Sequence, residues 1–202
     1  WACTIRRVLR TRLITERGAV AVGDRVRFTR VNPQPEADQQ GVVEQVAPRA
    51  GALTRRYAGR SHTIVANVDQ GIVVVSVGAP PLKPHLIDRY LVAIERNKLS
   101  AVVCVNKTDL DSRGQIEPTL VLYRGLGYRC LGVSAATGAG IDELRGVLAG
   151  RQSVVTGQSG VGKSSLLNAV QPGLGLAVSD VSVLTWKGRH TTVQARMIKL
   201  DV

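Results

Sequence analysis

Gly157-Gln158-Ser159-Gly160-Val161-Gly162-Lys163-Ser164-Ser165 decides how this chain is to be read. It has the form G-x-x-x-x-G-K-S, and it stands after the apolar Val154 and Val155 and before Leu166, Leu167, Asn168, Ala169 and Val170, which suit a helix. Glycines let a backbone wrap closely around an oligophosphate, so that amide N–H groups and the start of a helix face its negative oxygens. Lys163 then reaches the β- and γ-phosphates, and the Ser164 hydroxyl is a ligand for Mg²⁺. A plain strand-to-helix turn does not need Lys-Ser at that offset. The stretch predicts a nucleoside triphosphate site lined by residues 157–165, without fixing the base.

Two shorter patterns fix the base. The apolar run Ala101–Val105 leads into Asn106-Lys107-Thr108-Asp109, an N-K-x-D at the carboxyl end of a predicted strand, where open parallel sheets bind ligands. A carboxylate there accepts from N1–H and from the exocyclic amine of guanine. Adenine offers neither donor on that edge, so a buried Asp109 discriminates strongly. Asn106 fixes the loop and touches the base, and the aliphatic stem of Lys107 covers its face. After the next apolar strand come Ser134-Ala135; in guanine-nucleotide proteins such an S-A turn supplies a backbone N–H to guanine O6. Each short pattern alone is also what a simple turn after a strand looks like. Joined to the phosphate loop, they make a guanine site.

Their order is unusual. Ordinary GTPases run phosphate loop, switch, D-x-x-G, N-K-x-D, S-A; here the base-reading loops at 106 and 134 precede the phosphate loop at 157. A pocket depends on which loops meet in space, so a circularly permuted G domain closes the same site. The rest of the region agrees. Ile72–Val77 is a continuous apolar run closed by Gly78-Ala79-Pro80-Pro81, as for a buried parallel strand. Ile87, Leu91 and Ile94 recur at helical spacing, and helices are predicted again from about Glu117 and from Asp142. Strands are predicted near Cys130–Val133 and Ser153–Val155, so from about Asp69 onward strand and helix alternate, which predicts a parallel sheet covered on both faces. The long, Gly-rich stretch Gln171–Thr192 is weakly periodic.

Residues 1–68 have a different grammar. Val26 and Phe28 alternate with Arg25, Arg27 and Arg30 after the Gly23-Asp24 turn, predicting a half-buried strand with a basic outer face. Val42, Val43 and Val46 make another after a Pro- and Gln-rich loop, and short strands at this spacing predict a small barrel or sandwich. This region holds twelve arginines, no lysine and five acids. Arg49, Arg55, Arg56 and Arg60 are expected in one Gly/Ala-rich loop, where they suit phosphate contacts in folded RNA; a solvated basic face is the plainer alternative.

The whole chain of 202 residues carries a formal charge of +12, which points to a polyanionic partner such as nucleic acid. With 44% apolar but only 3% aromatic residues, the core must rest on Val, Leu, Ile and Ala. Cys3, Cys104 and Cys130 are too few and too scattered for a disulfide framework or a zinc site; the last two are expected as small core residues of a reduced, cytosolic protein. No apolar run is long enough to span a membrane. Trp1, with no Met and no signal pattern, reads as the start of a piece lacking an N-terminal segment.

A permuted G domain behind an Arg-rich β-domain resembles the bacterial small-ribosomal-subunit-dependent GTPase family, RsgA or YjeQ. The resemblance covers nearly the whole chain. It rests on Ala66-Asn67-Val68-Asp69-Gln70, Ile87-Asp88-Arg89-Tyr90-Leu91, Asn106 to Leu110, Gly157 to Leu166 and Gly188-Arg189-His190-Thr191-Thr192. It implies an OB-fold barrel over 1–68 that binds rRNA and a circularly permuted G domain over 69–202. It also implies GTP and Mg²⁺ as ligands, and GTP hydrolysis stimulated by the small subunit and tied to its late maturation. A cytoplasmic monomer with no membrane partner is expected. Thr191 or Thr192 would share Mg²⁺ with Ser164. Lys163 is the catalytic cation, and His190 either orients the attacking water or is simply an exposed loop residue. The family carries D-x-x-G and then a zinc-binding C-terminal domain; this chain stops at Asp201-Val202 before either, so Zn²⁺ is expected in that domain and not here. Where the family has a third threonine, this chain has Val193. Two other readings stand beside it: a GTPase of transfer-RNA modification or membrane traffic, and an RNA-binding module that holds nucleotide without turnover.

Overall fold

The chain divides into two compact units, Trp1–Val68 and Asp69–Val202. A computed structural model describes residues 2–5, 16–17, 20–31, 40–57, 60–114, 116–177 and 196–202, with backbone only for Ala2, Glu16, Arg17, Arg56, Tyr57 and Arg60.

Among the described residues, the first unit is all β. Strands β1 (Ala2–Ile5), β3 (Val26–Arg30) and β4 (Gln40–Val46) form one sheet in the order β1-β4-β3. Strands β2 (Glu16–Arg17), β5 (Ala52–Tyr57) and β6 (Arg60–Ala66) form a second in the order β2-β6-β5. Each sheet mixes one parallel and one antiparallel pairing. The described strands trace two small sheets and no closed barrel.

Two expectations for this unit need correction. The strand at Val26–Arg30 is present but is not half-buried: all five residues are exposed, Val26 and Phe28 at 37% each. Among the described strands it pairs with β4 alone, at the end of its sheet, so alternation in the sequence does not translate into burial. The predicted arginine loop is largely a hairpin. Arg55 and Arg56 lie in β5 and Arg60 in β6, in antiparallel register with Arg55 opposite His62 and Arg56 opposite Ser61. Leu53 and Val65, 3% and 8% exposed, sit opposite each other and fix that register by burying an apolar pair.

The second unit is a parallel sheet wrapped by helices. Strands β7 (Gln70–Ser76), β8 (Ser100–Asn106), β9 (Arg129–Gly132) and β10 (Ser153–Thr156) run parallel in the order β10-β7-β8-β9. β7 is buried at every position, as its unbroken apolar run predicts. Helices α1 (Pro84–Arg96), α2 (Ile116–Gly125), α3 (Ile141–Leu148) and α4 (Lys163–Val170) join or follow these strands.

The two sheet faces have separate partners. Ile72, Val74, Val102, Cys104, Leu131 and Val133 pack with Ile141, Leu144, Val147 and Leu148 of α3 and with Leu166 and Val170 of α4. On the opposite face α1 lies over β7 and β8 through Ile87, Tyr90, Leu91 and Ile94. The approach is close, because a Cβ at Gly71 would come within 2.4 Å of Ile94 Cδ1. Burying each such Val, Leu or Ile contributes about 1.5–3 kcal/mol, so an aromatic-poor core suffices. Cys104 and Cys130 are buried free thiols, and burial pushes Cys104 up to about 12.

This topology positions the site. Parallel neighbours end on one edge, so the segments after β10, β7, β8 and β9 leave the sheet side by side whatever their order in the chain. β7 to β9 advance in one direction and β10 returns to the far side of β7, which places a topological switch point between β10 and β7.

Candidate nucleotide site

Between β10 and α4 the chain makes a loop that only glycine can trace at two points. Gly157 has φ 149° and a Cβ there would sit 2.1 Å from the Val74 carbonyl oxygen; Gly162 has φ 90° and its Cβ would meet Asn106 Nδ2 at 2.4 Å. The loop is therefore pressed against the ends of β7 and β8, and α4 starts at Lys163 directly after it.

Lys163 is 3% exposed, and its ammonium donates to the carbonyls of Gly157 at 3.0 Å and Gln158 at 2.7 Å. Burial lowers its pKa to about 8. A buried cation held by carbonyls rather than by a carboxylate, at the first turn of a helix, suits a multiply charged anion. Ser164, also 3% exposed, follows it in the same first turn. The donor set and the glycine cradle fit an oligophosphate with Mg²⁺.

Asn106 brings the loops together. It is 1% exposed at the end of β8; its Nδ2 donates to the Val161 carbonyl at 2.9 Å, and its Oδ1 accepts from the Ala135 amide at 3.2 Å. One side chain thus ties the phosphate loop to the S-A turn. Lys107, with a left-handed φ of 63°, turns its stem across the same edge and donates to the Gly160 carbonyl at 2.9 Å and to the Ala79 carbonyl. The Ala79 contact is the part sequence reasoning missed; Gly78-Ala79-Pro80-Pro81 read only as a turn, and strand order is what places it between the other two loops.

Asp109 stands in the 3-10 turn Thr108–Leu110, where the Ser134 hydroxyl donates to its Oδ1. Ser134 is fully buried, and its Oγ also accepts from the Thr137 amide at 3.2 Å. Asp109 itself is exposed rather than buried as expected, because it lies beyond the last strand residue on a surface turn. Its orientation is fixed all the same, by the hydroxyl of the second base-reading motif. Among the sequence-predicted residues, Asn106, Lys107, Asp109, Ser134, Ala135 and the loop 157–165 thus share one edge. His190, Thr191 and Thr192 lie outside the described residues.

The arginines of the first unit divide. Arg49 grips Asp24 with two parallel bonds, Nε to Oδ1 at 2.7 Å and NH2 to Oδ2 at 2.8 Å, while NH1 donates to Thr63 Oγ1 at 2.8 Å. The Asp24 side chain is fully buried. Burial alone pushes its pKa up, but the Arg49 hydrogen bonds, the Ala21 amide and the Arg49 charge outweigh that and hold the carboxyl below its ordinary range. The guanidinium of Arg49 is thus committed inside its own unit. Asp24 is the missed partner; a lone acid in a Gly-Asp turn amid arginines is the only sequence signal for it. Arg55 is half-buried on β5, and the side chains of Arg56 and Arg60 lie outside the described residues. Among the described residues, no group of three or more His, Cys, Asp or Glu is placed to hold a metal ion, and no helix is long and apolar enough to cross a membrane.

Comparison with known proteins agrees with this geometry. The sequence profile of the family described as RsgA GTPase matches residues 46–202. A protein of Thermotoga maritima named small ribosomal subunit biogenesis GTPase RsgA is 44% identical over 185 residues, 90% of this chain and 58% of that protein. One of the same name from Moorella thermoacetica is 43% identical over 200 residues, 99% of this chain and 63% of that one. Among solved structures, YjeQ from Thermotoga maritima is similar at a TM-score of 0.65 and 40% identity, covering 87% of this chain and 58% of that one. YloQ, described as a circularly permuted GTPase, matches at 0.57 and 32% identity, covering 84% and 55%. The chain spans about three fifths of the length of the curated relatives it matches.

Proposed function

The chain belongs to the RsgA GTPase family, and on that footing we propose that it binds and hydrolyses GTP and couples turnover to binding and late maturation of the small ribosomal subunit. The observation that carries the reading is Asn106, whose one amide joins the phosphate loop at Val161 to the S-A turn at Ala135.

In this reading the 157–165 amides and Lys163 hold the phosphates and stabilise the charge that builds during transfer, the larger part of catalysis in phosphoryl transfer. Asp109 accepts from the two guanine donors, with its Oδ1 kept in place by Ser134. With a base bound, the Ala135 amide, which here donates to Asn106 Oδ1, would also turn toward O6, and the Lys107 stem covers the ring. Ser164 and one of Thr191 and Thr192 would hold Mg²⁺, which would supply neutralising positive charge to the phosphates. His190 orients the attacking water. Residues 1–68 serve as an OB-type module meeting rRNA through the hairpin that carries Arg55, Arg56 and Arg60, with Arg49 bracing the unit from inside. Residues 69–202 belong to the permuted G domain, and the protein acts as a cytoplasmic monomer. The names of the relatives support the ribosomal partner.

Sedimentation with separated ribosomal subunits, with GDP or a non-hydrolysable GTP analogue, tests the proposal. Retention on the small subunit that depends on the γ-phosphate is expected. Retention indifferent to nucleotide would leave a passive RNA binder instead.

A further inference from the structure

The S-A turn and α3 form one continuous unit. The Ser134 amide donates to the Ala139 carbonyl at 2.9 Å, and the Gly138 amide donates to the Ser134 carbonyl at 2.9 Å, so the turn closes on itself. The Ile141 amide that opens α3 donates back into it, to the Gly138 carbonyl at 3.2 Å. Gly140, at φ 70°, presses this turn on β9, since a Cβ there would sit 2.4 Å from the Gly132 carbonyl oxygen.

From that fixed base α3 reaches the phosphate helix in two ways. Ile141, Leu144, Val147 and Leu148 share one apolar cluster with Val161, Leu166 and Val170, contacts that have no preferred direction. Arg145 adds the direction. Its Nε donates to the Val170 carbonyl at 2.7 Å and its NH2 to the Ala169 carbonyl at 3.0 Å, while NH1 donates to the Asp142 carboxylate. Those carbonyls belong to the last turn of α4, where no amide of the helix itself can meet them, and that turn carries no basic residue of its own. A planar fork suits two neighbouring carbonyls in a way that a single ammonium does not.

α4 has eight residues and is about 12 Å long, and both of its ends are tied to the segment that begins at Ser134. Just before its start, Asn106 joins Val161 to Ala135; at its end stands Arg145. We infer that Arg145 is a positioning residue for the nucleotide, which fixes the far end of α4 and so aims the first turn, with Lys163 and Ser164, at the β-phosphate. This rests on the nucleotide reading above. Without the fork, α4 keeps its anchor at Asn106 and swings about it. The base-reading turn stays in place, and the phosphate-binding turn loses its aim.

The test uses the full chain. Affinities for GDP and for GMP, each with Mg²⁺, are measured for the parent, for Arg145→Met, which keeps the apolar stem and removes the fork, and for Arg145→Lys, which keeps a charged donor without the fork. Leu120→Ala, a buried residue outside the α3–α4 cluster, serves as a variant that only loosens the fold. GMP shares the base and the α-phosphate with GDP and lacks the β-phosphate, so the ratio of the two affinities reports the aim of α4. Arg145→Met is expected to bind GDP about ten-fold more weakly and GMP within about two-fold of the parent, and Arg145→Lys to lose about three-fold for GDP alone. Leu120→Ala is expected to melt earlier with the ratio of the parent. An unchanged ratio in both Arg145 variants overturns the inference, and so does an equal loss for both ligands, or the same fall in Leu120→Ala. Should Arg145→Met fail to fold, Arg145→Lys decides on the same terms. A parent that binds no GDP overturns the nucleotide reading itself, and the inference with it.

Discussion

Two polar side chains hold different regions of this molecule together. Asn106 joins loops that belong to distant stretches of the second unit, and Arg49 joins Asp24 and Thr63 inside the first. Around Asn106 the backbone is constrained: Gly157, Gly162 and Lys107 adopt positive φ, and a Cβ at either glycine has no room. A site made from backbone geometry demands particular residue types at particular spacings, so it can be read along the chain. Around Arg49 the work is done by one charge meeting another, and any of twelve arginines in that region could have met it. Basic composition says that cations are present; it does not say which of them are already paired.

The contrast can be broken at several points. The largest effect is expected from Arg49→Ala, which leaves the buried Asp24 carboxylate without its partner and should destabilise the first unit by about 3 kcal/mol in denaturant melts. The same pair makes that unit acid-sensitive. Because the folded pKa of Asp24 is depressed, its contribution is complete above the ordinary value of 3.8 and is lost as pH falls through the lower folded value. Arg49→Ala should remove this acid limb of the melting curve. If the variant melts like the parent, the Arg49 pair is an idle surface contact.

Next comes Lys163→Ala. Its loss removes charge-assisted bonds to phosphate oxygens, so affinity for GDP and GTP should fall about 100-fold by calorimetry, with the fold retained. Asn106→Ala should follow at about 30-fold for both nucleotides, since two bonds that align loops are lost rather than a direct charge contact. Were it harmless, the loops would be held by the sheet alone. The smallest effect belongs to the hairpin: Arg55→Ala should weaken small-subunit retention by about two- to five-fold, more at low salt than at high salt, while nucleotide affinity stays as it was.

How much of this could be read in advance follows the same division. The unbroken apolar run of β7, the helical stripe Ile87, Leu91 and Ile94, and the strand ends at Asn106 and Gly157 were all legible, because periodicity and glycine placement report local geometry directly. Strand order was not. It decides that the Ala79 carbonyl receives Lys107, and no local pattern encodes which strands become neighbours. Burial in small sheets was equally hidden: Val26 and Phe28 alternate as an inward face should, yet among the described strands β3 is at an edge and both stay exposed. The arginine-rich stretch looked like a loop because its composition is poor in strand formers. The opposed pair Leu53 and Val65 turns it into a hairpin, a contact seen only once the chain has folded back. Asp109 is exposed where burial is expected, because it stands on the surface turn after β8 rather than in a strand.

Calorimetric titration of the full chain with GDP and with ADP, each with Mg²⁺, addresses the joined loops most directly. Tight binding of GDP with no measurable heat from ADP is predicted, because Asp109 would face adenine with no donors to accept. ADP bound as well as GDP would show that 106–109 and 134–135 do not read a base, and would reduce the site to a phosphate loop alone.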